Sequence, residues 1–353
     1  MRTWKSLEAR DIYLNIAHFL DHFMMLIFAK AAYDASKSFG ITYDEMIAYG
    51  TLGFFLFGAV APLAAYAADR YGRALLMTIF HFGIGVSALM CALTQSPNQL
   101  LAALGLLGAF AAIYHPVGIA MLLKKDGNRG FRMGINGVYG NMGVAAAPLC
   151  TGVVLAFWDW RLAFVFSGVG CIVFGIVFLQ SLVETKPAQI TTQNAPQKVA
   201  FSPGWQRALT ALAMTTTAGG FVFGALTFLV PRFFELGLTS ITTSVAITGI
   251  FASCVYACAS FAQMAIGYLI DRIDPRWVLF FMASGQVIFI FLAASSQGYS
   301  MLFFMTLAMS FVFGQIPIVD TIMSRYVPDE WRPKVLSVKF VLNLCVGAAV
   351  LPI

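Results

Sequence analysis

The chain has 353 residues, of which 59% are hydrophobic and 11% charged, and its mean hydropathy is +0.80. Soluble domains carry roughly 25% charged residues, so the composition excludes a water-soluble globular fold and points to a protein that lies in lipid. The formal net charge of +6 is accounted for by loop cations, and no nucleic-acid partner is expected.

Apolar runs of about 20 residues recur along the sequence, enough to cross a hydrocarbon core of ~30 Å. They lack period-2 alternation, and unpaired backbone groups are costly in lipid, so the runs are expected to be helices rather than barrel strands. Spans are expected at about 11–34, 45–68, 74–94, 98–123, 132–157, 161–183, 206–231, 241–270, 276–296 and 299–325, with an eleventh beginning near 335. Glu8, Arg10 and Asp11 precede the first run, which carries ionisable residues of its own, so it is expected to be a span and not a cleavable signal.

Span 1 holds an unusual stripe. At 100° per residue, Asn15, His18, Asp21 and His22 fall within an arc of about 120° on an otherwise apolar helix. Ionisable groups at membrane depth are costly unless they face a bundle interior or a wet cavity. Three uses compete: proton coupling, with a carboxylate beside imidazoles; binding of a divalent metal by His18, Asp21 and His22; and hydrogen bonding that fixes helix packing. Lys30, near the end of this span, is expected to reach outward to the interface.

Spans 2 and 3 are joined by Asp69-Arg70-Tyr71-Gly72-Arg73, and a related turn, Asp271-Arg272-Ile273-Asp274-Pro275-Arg276, joins spans 8 and 9. Asp69 and Asp271 stand 202 residues apart, and Asn141-Met142-Gly143 returns as Asn343-Leu344-Cys345 at the same spacing. Two matches at one offset indicate a duplicated helical unit, a common construction for secondary transporters. His81 in span 3 is expected to be a packing residue. Span 4 contains Tyr114-His115-Pro116, whose proline predicts a local break in the helix. Span 5 offers Asn136 and Asn141 as hydrogen-bonding groups, then small residues around Pro148 that suit close helix approach.

Residues 184–203 are polar and punctuated by proline, and are expected to be a cytoplasmic linker. Beyond it come Thr215, Thr216 and Thr217 in span 7, then Gln315, Pro317 and Asp320 in span 10. The six cysteines all lie in expected spans, where they are expected to be small buried packing residues without disulfides. Placing the amino terminus inside leaves Lys30, Lys37, Arg161 and Arg232 as the basic residues in or near the other side, so the positive-inside rule gives a cytoplasmic amino terminus. No nucleotide-binding loop and no nucleophile motif is present, and an enzyme is not expected.

The Asp69-Arg70-x-Gly72-Arg73 turn and its partial repeat resemble the Major Facilitator Superfamily, along the whole chain. Ala65 stands where a glycine is usual and Asp274-Pro275 replaces the glycine of the second copy. His18-Phe19-Leu20-Asp21-His22, Tyr114-His115-Pro116-Val117-Gly118 and Gly137-Val138-Tyr139-Gly140-Asn141-Met142-Gly143 are similar to the fosmidomycin-resistance-like branch and its magnetosome-associated relatives. The resemblance implies an all-α integral membrane fold of two pseudo-symmetric six-helix halves: residues 1–183, the 184–203 linker, and 204–353. In that fold spans 1, 4, 7 and 10 line a central cavity. Asn15, His18, Asp21, His22, Tyr114, His115, Asn136, Asn141, Gln315 and Asp320 are the candidate proton-coupling and substrate residues. The cavity would hold no central arginine, which disfavours strongly anionic substrates.

Asp69, Arg70, Gly72, Arg73, Asp271, Arg272 and Arg276 are expected to gate, pairing across helix ends in one state and separating in the other. The expected activity is proton-coupled alternating-access transport of a small molecule, with export by antiport favoured, by a monomer without cofactors in a bacterial inner membrane. Transport of iron or another transition metal is an alternative. On the repeat, residue 353 corresponds to about residue 151, so span 11 is expected to be cut short and span 12 missing, and a non-transporting membrane protein is the alternative of another class.

Overall fold

The computed structural model describes residues 9–123, 129–183, 201–270, 272–328 and 331–348. All regular structure among them is helical. Nine helices are long and apolar enough to cross a membrane among the described residues, or ten when one bent pair is counted as a single span. Each of the first ten expected spans has a helical counterpart, and a further helix begins close to where the eleventh was expected.

Span 1 is α1 (Ala9–Phe39). Span 2 is broken into α2 (Tyr43–Ala48), α3 (Thr51–Ala59) and α4 (Ala61–Tyr71), with a 45° bend before α4. The bend was not expected. Pro62 sits in the first turn of α4 and has no N–H to give the Gly58 carbonyl one turn earlier, so the helix cannot run straight through. Span 3 is α5 (Arg73–Ala92). Span 4 does break at its proline: α6 (Pro97–Ala111) passes through a π-helical turn at Tyr114–Gly118 into α7 (Ile119–Leu123). Spans 5 and 6 are α8 (Arg129–Phe157) and α9 (Arg161–Val183).

After the linker come α10 (Trp205–Gly237), α11 (Val245–Ile270), α12 (Pro275–Ala294), α13 (Gly298–Tyr326) and α14 (Arg332–Ala348). α10 continues through Pro231, where the sequence suggested an end, and so carries Arg232 and Glu235 on its last turns. Residues 184–200 of the expected linker lie outside the described residues.

α1 packs along α8, α5 along α9, and α3 lies between α6 and α14. α8 also packs on α11 and α10 on α14, so these contacts join the helices before the linker to those after it. α1 and α8 run parallel and meet at a constant register. Arg132 donates two hydrogen bonds to Asp11, at 2.8 and 2.7 Å, and Asn136 donates to Asn15 at 2.9 Å. Both pairs are separated by 121 residues. Gly143 permits the approach: a Cβ there would lie 2.2 Å from the Phe19 carbonyl oxygen.

Several expectations are corrected by the packing. Arg132, at the start of the expected fifth span, is not a free cytoplasmic cation but a buried partner of Asp11. The cysteines are not uniformly buried: Cys91 and Cys171 are, whereas Cys150, Cys254 and Cys258 are exposed and Cys345 is intermediate. A thiol is apolar enough to face lipid as readily as a core. His81 is a packing residue, its Nδ1 2.6 Å from the Met77 carbonyl and its ring against Phe174 and Phe178.

Removing one member of a buried ion pair strands the other, at a cost of about 3–5 kcal/mol. Arg132→Met should therefore lower the unfolding free energy in detergent by that order, and Asp11→Leu added to it should recover much of the loss. Simple additivity of the two substitutions would show that the pair does not hold α1 to α8.

Candidate functional site

The polar stripe of α1 lies near the middle of its helix. At about 1.5 Å per residue, Asp21 is ~18 Å from the start of α1. It faces inward: Asp21 is fully buried, and Asn15, His18, Asn136 and Asn141 are all buried with it. The π-helical turn of span 4 brings Tyr114 and His115 onto the same spot. Such turns widen the helix by one residue and re-aim side chains, and they recur at functional positions.

A network joins the three elements. The Tyr114 hydroxyl donates to the Leu14 carbonyl at 3.0 Å and accepts from Asn136 Nδ2 at 2.8 Å. His18 Nδ1 lies 2.7 Å from the Asn136 carbonyl, and its ring stacks on Tyr114 at 4.7 Å. His115 Nε2 lies 3.4 Å from Asp21 Oδ2. Gly140 gives His18 its room, since a Cβ there would sit 2.6 Å from the ring.

The centre of this network is incompletely satisfied. His18 Nε2, His115 Nδ1 and both Asp21 carboxylate oxygens are buried without a hydrogen-bond partner. Each such group is destabilising unless something else meets it. Beside His22 is a cavity of about 30 Å³, lined by Phe54 and Phe57 of α3, Gly220 and Thr227 of α10, and Asn343 of α14. That is room for a water molecule, not for a substrate.

A larger cleft of about 450 Å³ lies between α10, α13 and α14, lined by Thr210, Thr216, Met323, Trp331 and Lys339 among others. It opens at the end of the bundle that holds the start of α10. At the opposite end the two helix groups are latched. Lys30, far from reaching outward, has no exposed side-chain surface: it is 2.5 Å from Glu235 and donates to Thr248 at 3.0 Å. Arg232 pairs with Glu235 at 3.0 Å and lies over the rings of Tyr33 and Tyr43. With its ammonium group buried, Lys30 requires a carboxylate partner, and Glu235 supplies it.

A family profile described as Major Facilitator Superfamily matches residues 14–352. The chain belongs to the Major Facilitator Superfamily. Its sequence is similar to the puromycin resistance protein pur8 of Streptomyces alboniger, 31% identical over 108 residues, and to the multidrug resistance protein MdtG of Escherichia fergusonii, 25% identical over 230 residues. The matches cover 30% and 64% of this chain but span only 22% and 56% of those relatives. The fold is similar to a bacterial homologue of the human lysosomal transporter Spinster, with a TM-score of 0.76 at 17% identity over 100% of this chain and 81% of that one. The chain is thus a multi-pass membrane protein of that superfamily, and it spans about a fifth to just over half the length of the curated relatives it matches.

The remaining superfamily-type residues are placed as follows. Gly72 closes α4 with a φ of 100°, a conformation that favours glycine. Arg73 lies 4.0 Å from the exposed Asp69 and donates to the Ala120 carbonyl at 3.3 Å, so the turn is tied to the end of span 4. Arg70 lies over the Tyr71 ring. Arg272 donates to the Tyr268 carbonyl at 3.2 Å, and Arg276 pairs with Asp274, which caps α12. Asp271 lies outside the described residues, as does the side chain of Asp320.

Gln315 is buried but not in the Asp21 cluster; it accepts from Gln286 of α12. Asn141 is buried with its Nδ2 unpartnered. Thr215 and Thr217 bond to carbonyls of their own helix, and Thr216 faces the larger cleft. The Lys30–Glu235 latch and the Asp11–Arg132 pair were missed from sequence, although an intramembrane lysine and glutamate were there to be matched.

If the Lys30–Glu235 pair holds that end closed, breaking it should expose the centre. In a background without native cysteines, Thr227→Cys lies on the small cavity wall. Its labelling by a membrane-impermeant maleimide should quicken several-fold when Lys30→Met is added, and equal rates with and without Lys30→Met would contradict the latch.

Proposed function

We propose that this protein is a proton-coupled transporter that moves a small molecule by alternating access between two helical halves and favours export by antiport. The observation that carries the proposal is Asp21: a carboxylate fully buried in mid-span, 3.4 Å from an imidazole nitrogen, with no hydrogen-bond partner on either oxygen. A bare charge in a dry, apolar setting is strongly disfavoured. The small cavity one residue further along α1, beside His22, has room for little more than a water. Passage through this closed arrangement therefore favours a proton on the Asp21–His115 pair, whereas opening to water on either side lets the proton leave. That condition links the conformational cycle to proton movement.

Export draws its support from relatives named for puromycin and multidrug resistance, and from the small-residue run around Pro148 in α8. The larger cleft mixes apolar side chains with threonine hydroxyls and one lysine, which suits an amphipathic organic molecule. The Asp69 and Arg272 turns would serve the gate at the cleft end, and Lys30–Glu235 the opposite one. Positive-inside bias supports a cytoplasmic amino terminus, which would place the cleft on the cytoplasmic side of a bacterial inner membrane.

Asp21→Asn tests the proposal. In proteoliposomes challenged with a drug panel that includes puromycin, the variant should lose substrate-driven proton flux while keeping substrate exchange. Proton flux equal to that of the unmodified protein would contradict it.

A further inference from the structure

We infer that His18, His22 and His115 form a binding site for one divalent transition-metal ion of the zinc type. The three rings come from two spans, and each offers a nitrogen lying within 4.8 Å of the others. Their ring centroids are 4.9, 5.3 and 5.4 Å apart. The ligand set is not the His18, Asp21 and His22 trio suggested by spacing. Asp21 stands behind His115, and His115 completes the group.

Convergence separates this site from ordinary packing: His81 also has Nδ1 on a carbonyl and an unpartnered Nε2, but it stands alone, whereas three imidazoles meet here. A carbonyl can only accept, so His18 Nδ1 carries the proton it shares with Asn136, and Nε2 bears a lone pair. That Nε2 is buried and has no partner. The space beside it is held open by Gly140, where a Cβ would intrude to 2.6 Å. His115 turns Nε2 toward Asp21 and leaves Nδ1 buried and unpartnered. Two imidazoles thus have one nitrogen oriented by an outer carbonyl or carboxylate and the other unmet, the arrangement by which proteins aim histidines at a metal.

His22 borders the small cavity, so a fourth position is open to water or to a ligand. Tetrahedral zinc bonds of about 2.0–2.1 Å would bring the nitrogens to about 3.4 Å apart, within reach of side-chain rotation. Neutral imidazoles select zinc, cobalt, nickel or copper over magnesium and calcium, and the Asp21 carboxylate offsets part of the ion's charge. Protons and the ion compete for the same lone pairs, so metal binding releases protons at a site already placed to handle them.

The full-length chain, purified on a tag free of histidine, should bind one equivalent of Zn²⁺ by calorimetry and give the intense visible spectrum of tetrahedral Co²⁺, with excess Mg²⁺ displacing neither. His18→Ala, His22→Ala and His115→Ala should each weaken binding by about tenfold or more, the scale seen even for outer-shell losses. His81→Ala, the remaining histidine, should bind as the unmodified chain does. X-ray absorption on the unmodified protein counts imidazole ligands without any variant. Absent saturable binding, fewer than three imidazole ligands, or equal weakening by His81→Ala would each overturn the site. Zinc binding can fail while Asp21→Asn still uncouples transport, and the reverse, so the two proposals fail separately.

Discussion

Polar atoms that enter a membrane must find partners inside the protein, and α1 brings more of them than any neighbour can ignore. Asp11, Asn15, His18, Asp21 and His22 descend one side of the helix, and α8 and the span 4 turn close on that side. The partners come in register: Arg132 for Asp11, Asn136 for Asn15, the Asn136 carbonyl for His18, and His115 for Asp21. Glycines at 140 and 143 let the two helices approach closely enough for these bonds to form. Because so many contacts are shared, α1 and α8 are expected to move as one body, while the weaker seam against α10 changes.

The stripe is well satisfied at its amino-terminal end and poorly satisfied at its centre. Asp11 and Arg132 exchange two charge-assisted bonds, the strongest kind available in the bundle. About two to three turns deeper, Asp21, His18 and His115 keep buried atoms unmet. A structure selected for stability alone would replace these groups with leucine or phenylalanine, at little cost. Their retention fits a site that gains and loses protons or a metal ion as the bundle opens and closes. The Lys30–Glu235 pair supplies the complementary device, a latch between α1 and α10 at one end of the same helix.

Much of this was legible in the sequence, for physical reasons that can be named. Helical period placed Asn15, His18, Asp21 and His22 on one face, and Pro116 marked the break that turns His115 toward them. The duplicated turn pointed to a family that the whole-chain match supports. What stayed hidden depends on pairing between distant spans, which local period does not encode. Lys30 was read as an interfacial residue because its acceptor lies 205 positions away. Glu235 fell outside the expected span 206–231, yet α10 runs on through Pro231, because a membrane helix tolerates the missing bond. The bond that Gln315 accepts from Gln286 of α12 was likewise not legible, although Gln315 also lies beside Gly219 of α10.

Whether Asp21 changes its protonation is the most direct question. Infrared difference spectroscopy on the purified protein, comparing substrate-free and substrate-loaded states, reports the carbonyl stretch of a protonated carboxyl group. A band that changes on loading and vanishes in Asp21→Asn is the predicted result. A carboxylate that stays ionised in both states, with a spectrum unaltered by Asp21→Asn, would contradict the account.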